Sequence, residues 1–268
     1  MSIFFCTFAA AKVCAWTYIN IMVLSLAIFS ALLPALLLLL YVFIRDKYQR
    51  EPWREVLRAF GWGVLSVGLA IVAETLLQMF GVVSIGGQSA SILGSIWNAF
   101  MGAAIPEELS KILVLWLCLR YNRHFDEYMD GIVYAVAVGM GFAGIENIAY
   151  VLGNIDNWQS IAIARSLTAV PGHYMFAVAM GFFYSMGTFF DSKYYAYAFI
   201  VPIILHGVYD SLLFMMQVDA ALALMLVLVF VVFLSVALAY ASKAIDKHLR
   251  ADIEILKRKQ QNEQARLK

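Results

Sequence analysis

The sequence has few charged residues for its length, and this shortage argues against several classes of protein. Only 14% of its 268 residues are Asp, Glu, Lys or Arg, and the formal net charge at pH 7 is +1. A typical soluble domain has about 25% charged residues, and nucleic-acid-binding domains have a basic surplus. The composition therefore argues against a water-soluble domain and against a nucleic-acid partner.

Cysteine is also scarce. The three cysteines, Cys6, Cys14 and Cys118, all lie in apolar stretches. An odd number of cysteines in such surroundings argues against a disulfide framework and indicates small buried side chains.

Apolar residues are abundant instead, at 63% of the chain. Runs of about 20 such residues are long enough to cross a bilayer as helices. The sequence therefore predicts an all-α protein, a polytopic transmembrane helix bundle of about seven spans. These spans are residues 20–44, 57–80, 95–119, 131–153, 161–190, 195–217 and 219–242. The fifth run is too long for one straight helix, and Pro171-Gly172 predicts a break followed by a helix that begins near His173.

Basic residues in the connections predict the orientation of the bundle. The first, third and fifth loops and the C-terminal tail contain Lys or Arg, whereas the second and sixth loops contain neither. Since basic loops stay in the cytoplasm, the C-terminus is expected there and the N-terminus outside. The chain is thus expected to be a multi-pass protein of the cell membrane.

The chain is expected to have three parts. Residues 1–21 form a hydrophobic extension with three open interpretations: an eighth span, an uncleaved signal-like start, or a misassigned start with Met22 as the true first residue. Residues 22–242 form the transmembrane domain that contains every candidate site residue. Residues 243–268 form a basic cytoplasmic tail, which is expected to be a solvated helix.

Seven ionisable side chains lie within the predicted spans, where each costs at least ~2.5–3.5 kcal/mol. They are Glu107, Glu108 and Lys111 in the third span, Glu146 in the fourth, His173 in the fifth, and His206 and Asp210 in the sixth. A chain that keeps so many charged groups in its spans either pairs them with one another or needs them for its function.

The spacing of these residues places two pairs on common helix faces. Glu107 and Lys111 are four residues apart and can form an ion pair. The alternative to a functional role is that this buried pair only holds helices together. His206 and Asp210 have the same spacing, which suits two ligands of one metal or an Asp that orients a His. Pro106 removes a backbone hydrogen bond and can bend its helix.

This set of groups can hydrolyse a peptide bond. Hydrolysis needs a carboxylate that takes a proton from water, and a cation, metal or hydrogen-bond donor that stabilises the oxyanion. Intramembrane acidic and histidine residues also form proton relays, so an ion-coupled transporter is the alternative. The sequence shows no inverted repeat of the kind that many transporters have.

Four motifs, in their order along the chain, resemble those of the PrsW family of intramembrane proteases. They are Glu-Glu-x-x-Lys at Glu107, Phe-x-x-x-Glu at Phe142, Pro-Gly-His ending at His173 and His-x-x-x-Asp at His206. The likeness extends from about residue 22 to residue 217. The same motif order is similar to that of the CAAX prenyl proteases and the bacteriocin-immunity-type membrane proteins.

The resemblance implies an intramembrane endopeptidase that cuts a membrane-bound regulatory protein, such as an anti-sigma factor, as the first step of a cascade. The family is classed among the metallopeptidases, whereas the related prenyl proteases are thought to use a glutamate-activated water with His and Asn donors. Here Asp210 stands where the prenyl proteases have Asn, and Glu146 adds another anion, which favours a bound cation. A non-catalytic member of the same fold stays open as an alternative.

The sequence hypothesis assigns roles accordingly. Glu107 or Glu108 would activate water, and Lys111 or Arg123 would orient the glutamates. A divalent metal, with zinc as the expected ion, would be bound by Glu146, His173, His206 and Asp210, or these residues would position the water and the oxyanion directly. The partners are a membrane protein substrate and the lipid bilayer, and the oligomeric state is not predicted.

Three other charged residues receive expectations of their own. Glu74 is expected to snorkel to the interface, and Asp130 is expected to be the N-cap of the fourth span. Arg165 supports the site or anchors the chain at the interface.

Overall fold

The computed structural model describes residues 21–84, 89, 91–218 and 221–266, together with the helical backbone of residues 2–20 and 220. Within these residues the chain is helical and contains no strand, which confirms the all-α class. The predicted extension, residues 1–21, lies outside the described side chains except for Ile21.

The described part of the chain forms nine α-helices joined by short connections. They are α1 (Ser2–Arg45), α2 (Trp53–Met79), α3 (Ile92–Ala99), α4 (Ile105–Leu119), α5 (Tyr128–Gly153), α6 (Trp158–Leu167), α7 (Ala169–Phe189), α8 (Tyr194–Met215) and α9 (Ala220–Arg266). A π-helical turn, Phe100–Ala104, joins α3 to α4, and a 3₁₀ turn, Ile155–Asn157, precedes α6.

Among the described residues, five helices are long and apolar enough to cross a membrane, namely α1 (from Ile21), α2, α5, α8 and α9 (from Ala221). The other two predicted spans are interrupted. The third consists of α3, the π-helical turn and α4, and the fifth consists of α6 and α7. A multi-pass bundle of membrane helices is thus confirmed, whereas a count of seven or eight crossings stays a prediction.

The break within the fifth predicted span lies earlier than the sequence indicated. α6 ends at Leu167, and α7 begins at Ala169 after the non-helical Thr168. Pro171 is the third residue of α7, in the first turn, where a missing N–H breaks no helical hydrogen bond. The prediction of a helix that begins near His173 was therefore wrong by about one turn.

A local distortion precedes Pro106, as the sequence indicated. The π-helical turn ends at Ala104, and Pro106 occupies the first turn of α4. π-Helical turns are rare and occur frequently at functional sites. The two residues that follow Pro106, Glu107 and Glu108, are both buried.

α5 is the central helix of the bundle and packs against α1, α2 and α7. A Cβ atom on Gly141 would lie 2.1 Å from the carbonyl oxygen of Phe60 in α2, and one on Gly139 would lie 2.6 Å from the Cβ of Ala177 in α7. Neighbouring helices therefore approach α5 closely at these glycines. Because α5 also contains Glu146, this packing fixes where Glu146 lies relative to α2 and α7.

The N-terminus of α5 is capped by its own residues. Glu127 is the N-cap, and Asp130 is the third helical residue, whose Oδ2 accepts a hydrogen bond of 2.7 Å from the N–H of Glu127. The two side chains form a capping box, which satisfies two free N–H groups reciprocally. The prediction of Asp130 as the N-cap was therefore wrong by three residues.

The C-terminal tail docks on the same end of α5. Asp252 accepts hydrogen bonds from the N–H groups of Tyr128 (3.0 Å) and Met129 (2.9 Å), and His248 Nδ1 lies 2.9 Å from the carbonyl oxygen of Tyr128. His248 and Asp252 are both buried. The tail is therefore not solvated along its whole length, because free N–H groups at a helix start attract a carboxylate.

The connection between α1 and α2 adds two buried carboxyl groups near this end of the bundle. Asp46 and Glu51 are 1% and 4% exposed, and Glu51 accepts a hydrogen bond from the hydroxyl of Tyr134 in α5. Burial raises the pKa of Asp46 to about 6 and the pKa of Glu51 to about 7. Both groups thus change charge near neutral pH in the folded protein.

Candidate active site

Ionisable side chains from α4, α5, α7 and α8 converge in one network. The structure brings together all seven residues that the sequence singled out, namely Glu107, Glu108, Lys111, Glu146, His173, His206 and Asp210. The most buried of them, Glu108, is 0% exposed. Charges this deep are tolerated only when they are paired and hydrogen-bonded.

Lys111 is at the centre of the network. Its Nζ lies 3.0 Å from Glu107 Oε2, 2.8 Å from Glu108 Oε1 and 3.3 Å from His173 Nδ1. It also lies 4.0 Å from the centre of the Phe142 ring, within the range of a cation–π contact. One ammonium thus links the first, second and third motifs of the sequence.

His206 is held between two carboxylates. Its Nδ1 lies 2.9 Å from Glu108 Oε1, and its Nε2 lies 3.2 Å from Asp210 Oδ2, one helical turn further along α8. The ring of Phe176 stacks on the imidazole with 4.7 Å between ring centres. These contacts fix the orientation of the imidazole, which is one of the two roles that the His-x-x-x-Asp spacing suggested.

His173, in α7, is held in the same manner by a carboxylate of α5. Its Nε2 lies 2.6 Å from Glu146 Oε2, and its Nδ1 faces Lys111. The His173 and His206 rings are 5.5 Å apart between centres. Each histidine is therefore oriented by its own carboxylate, and the two imidazoles are neighbours.

Arg165, in the last turn of α6, contacts the edge of this network of side chains. Its Nη2 forms a 3.0 Å ion pair with Glu146 Oε1, although the angles do not make this contact a hydrogen bond. Its Nε donates a 2.7 Å hydrogen bond to Asn147 Oδ1, and its guanidinium lies 3.8 Å from the centre of the Tyr150 ring. Of the two roles considered for Arg165, these contacts favour support of the site.

The donor groups that lie close enough to bind one metal ion differ from the set predicted as ligands. In the described part of the chain, ligand atoms of Glu107, Glu108 and His173 lie within 4.8 Å of one another. The predicted ligands form two separate pairs instead, Glu146 with His173 and His206 with Asp210.

One oxygen in the cluster has no partner in the structure. Glu108 Oε2 is buried without a hydrogen bond. A buried orphan oxygen of this kind is expected to have a ligand or a water as its partner.

Two residues have positions that differ from the sequence hypothesis. Arg123 is exposed in the connection between α4 and α5, twelve residues beyond Lys111, and so does not orient the glutamates. Glu74 in α2 is half-buried and interacts electrostatically with Glu107 and Glu146, rather than only reaching the interface. The signal for Glu74 was a lone carboxylate within an apolar run.

The site lies toward one end of the bundle rather than at its middle. Asp210 is five residues before the end of α8 and Glu146 is seven residues before the end of α5. At a rise of 1.5 Å per residue, these positions are about 8 and 10 Å from the helix ends. Those ends are opposite the basic loops.

Known proteins resemble this chain over most of its length. Residues 51–237 match the profile of the PrsW family, described as an intramembrane metalloprotease family. This match contains all four motifs. No solved structure matches the chain at a significant level.

Several curated relatives are similar to most of the chain. Protease PrsW of Geobacillus kaustophilus is 39% identical over 183 residues, 67% of this chain and 76% of the relative. Protease PrsW of Clostridioides difficile is 34% identical over 210 residues, 76% and 84% of the two chains. Protease PrsW of Bacillus subtilis is 35% identical over 193 residues, 70% and 83% of the two chains. With its four motifs joined in one buried network, the chain belongs to the PrsW family of intramembrane proteases.

Proposed function

We propose that this chain is an intramembrane endopeptidase that cleaves a membrane-bound regulatory protein, such as an anti-sigma factor, by means of a glutamate-activated water. The observation that carries the proposal is the network around Lys111, which joins carboxylates and imidazoles from four helices at membrane depth. Each such group is costly there, and a purely structural pair would need far fewer of them.

Glu107 is the proposed general base. Its side chain is 11% exposed, whereas that of Glu108 is 0% exposed, so water reaches Glu107 more easily. Lys111 holds the Glu107 carboxylate through Oε2. Glu107 would take a proton from water as the water attacks the scissile carbonyl, and would then return the proton to the leaving amine.

The scissile carbonyl oxygen gains negative charge during the attack, and this charge needs donors in fixed positions. His173 and His206 are oriented by Glu146 and Asp210, and their rings are neighbours. Without a metal, these imidazoles are the proposed stabilisers of the oxyanion, and one ring N–H would exchange its present partner for the substrate oxygen, because both nitrogens of each ring already face a partner. Glu108 has the supporting role, because its Oε1 holds both Lys111 and His206.

The family description implies a metal ion, and the donor groups fit one. Two carboxylates and an imidazole with ligand atoms within 4.8 Å of one another are a suitable donor set for zinc. The orphan oxygen of Glu108 is consistent with a missing ligand. We propose that Glu107, Glu108 and His173 would bind the ion. Of the other residues that the sequence suggested as ligands, Glu146 holds the His173 imidazole and Asp210 holds that of His206. A bound zinc would lower the pKa of its water and polarise the substrate carbonyl.

The test is cleavage of a co-expressed single-pass membrane protein by variants of single residues. Glu107→Gln is expected to lower cleavage by a factor of about 10²–10⁴, the range for loss of a general base. His206→Ala is expected to lose activity because two carboxylates lose their shared partner. Lys193→Ala, at an exposed ion pair far along the chain, is the control and is expected to cleave normally. Wild-type cleavage by Glu107→Gln and His206→Ala would refute the proposal.

The transporter alternative is tested with the same purified protein. The proposal predicts peptide products in detergent and no ion flux in sealed vesicles. Flux without cleavage would favour the transporter.

A further inference from the structure

The ammonium group of Lys111 lies among the atoms that would bind the divalent ion. Its Nζ is 3.0 Å from Glu107 Oε2, 2.8 Å from Glu108 Oε1 and 3.3 Å from His173 Nδ1. The same three residues form the group of potential metal donors in the described part of the chain. An ammonium has three N–H donors, so these contacts use all of them.

A divalent ion bound through His173 would need the single lone pair of Nδ1, which now faces Lys111 Nζ at 3.3 Å. Zinc binds carboxylate oxygens and imidazole nitrogens at about 2.0–2.2 Å. An ion that close to Nδ1, along the lone pair that faces Lys111, would collide with Nζ in its present position, and the two groups have charges of the same sign. His173 cannot offer its other ring nitrogen to the ion instead, since Nε2 already faces Glu146 Oε2 at 2.6 Å.

We infer that Lys111 and a divalent ion are mutually exclusive occupants of the cluster of Glu107, Glu108 and His173, so that displacement of Lys111 controls whether the ion binds. The inference rests on the proposed use of a metal by this site. It assigns Lys111 a regulatory role at the metal site, besides its contact with the general base.

The surroundings of Lys111 favour the state in which the ammonium is seated. Lys111 is 3% exposed, and its ammonium also lies 4.0 Å from the centre of the Phe142 ring. If only a small fraction of molecules has the ammonium displaced, the apparent affinity for the ion falls by that fraction. The wild type is therefore expected to bind a divalent ion more weakly than its donor set alone would allow.

The experiment measures zinc affinity directly, by competition with a fluorescent chelator in detergent. Lys111→Met keeps most of the length of the side chain and removes the charge, and is expected to bind zinc at least about tenfold more tightly than the wild type. Lys111→Arg keeps a cation at the position and is expected to show no gain. Lys193→Met, which removes an exposed lysine paired with Asp191, is the surface control and is expected to leave the affinity unchanged.

A second variant keeps the inference testable if Lys111→Met does not fold. Phe142→Leu leaves Lys111 in place and removes one of its contacts, and is expected to raise zinc affinity about threefold, the size of one cation–π contact. Equal or weaker zinc binding by Lys111→Met and by Phe142→Leu would overturn the inference.

Cleavage is measured separately on the same preparations. A wild type that cleaves, beside a Lys111→Met variant without any gain in zinc affinity, would overturn the inference and leave the proposed function intact. Tighter zinc binding by Lys111→Met, beside a wild type that cleaves no membrane substrate, would support the inference about Lys111 and count against the protease activity.

Discussion

Replacement of Arg165 tests whether the network extends beyond the sequence motifs. The Arg165 side chain is 16% exposed and lies 3.0 Å from Glu146, whose second oxygen holds His173 at 2.6 Å. Arg165→Ala removes this ion pair, the hydrogen bond to Asn147 and the contact with the Tyr150 ring. Glu146 would then be free to turn away from His173.

The size of the effect follows from these contacts. Loss of a partner that orients a catalytic or metal-binding residue commonly costs 10–100-fold in activity, so Arg165→Ala is expected to cleave about 10–100 times more slowly. Removal of a hydrogen bond to a charged group costs about 1.5–3 kcal/mol, so the free energy of unfolding should fall by about 2 kcal/mol as well. Arg165→Lys, which keeps the charge but not the planar group, should recover only part of the activity.

The assay is the rate of cleavage of a single-pass substrate, measured beside the melting temperature in detergent. Arg120→Ala is the matched control, because Arg120 also lies against aromatic rings, 4.9 Å from Trp116 and 4.8 Å from Tyr121, but at the opposite end of α4 from Glu107. Wild-type cleavage by Arg165→Ala, or an equal loss in Arg120→Ala, would refute the reasoning.

Three further predictions concern the fold. Because burial raises the pKa of Glu51 from 4.5 to about 7, its stabilising contribution is complete below pH 4.5 and is lost as the pH rises through 7. The melting temperature of Glu51→Gln should therefore fall less than that of the wild type between pH 5 and 8, and parallel curves would count against this assignment. Gly141→Ala, with its new Cβ 2.1 Å from the Phe60 carbonyl oxygen, should reduce folded protein severely, whereas Gly61→Ala meets nothing within 4 Å and should be tolerated; equal yields after detergent extraction would contradict this. Asp252→Ala should lower the free energy of unfolding by about 1 kcal/mol, the usual value of a helix cap, as measured by thermal melting, and an unchanged melting temperature would show that the cap is dispensable.

The sequence predicted which residues converge better than it predicted how they pair. Contacts within one helix follow from the helical period, and both expected pairs formed, Glu107 with Lys111 at 3.0 Å and His206 with Asp210 at 3.2 Å. Contacts between helices depend on rotation and tilt, which no local pattern encodes. The spacing of residues along the chain therefore could not predict the approach of Glu146 to His173.

Helix boundaries were predicted least well where several signals competed. Pro171 is compatible with either the end of one helix or the first turn of the next, and the structure shows the second arrangement. Asp252 gave no signal in the sequence, because a carboxylate in a polar tail is ordinary until the start of α5 lies beside it.

The location of the site near one end of α5 and α8 determines where a substrate helix would be cut. A scissile bond level with Asp210 divides a transmembrane segment unequally, with about 8–10 Å of it on the side away from the basic loops. The longer fragment then spans about 20 Å of a hydrocarbon core that is about 30 Å thick. Such a fragment is too short to cross the hydrocarbon core, so either the membrane becomes thinner around the fragment or the fragment changes its depth in the membrane. Under the proposed activity, the cut would thus change the physical state of the remaining anchor as well as its length, and this would distinguish the product from the intact protein.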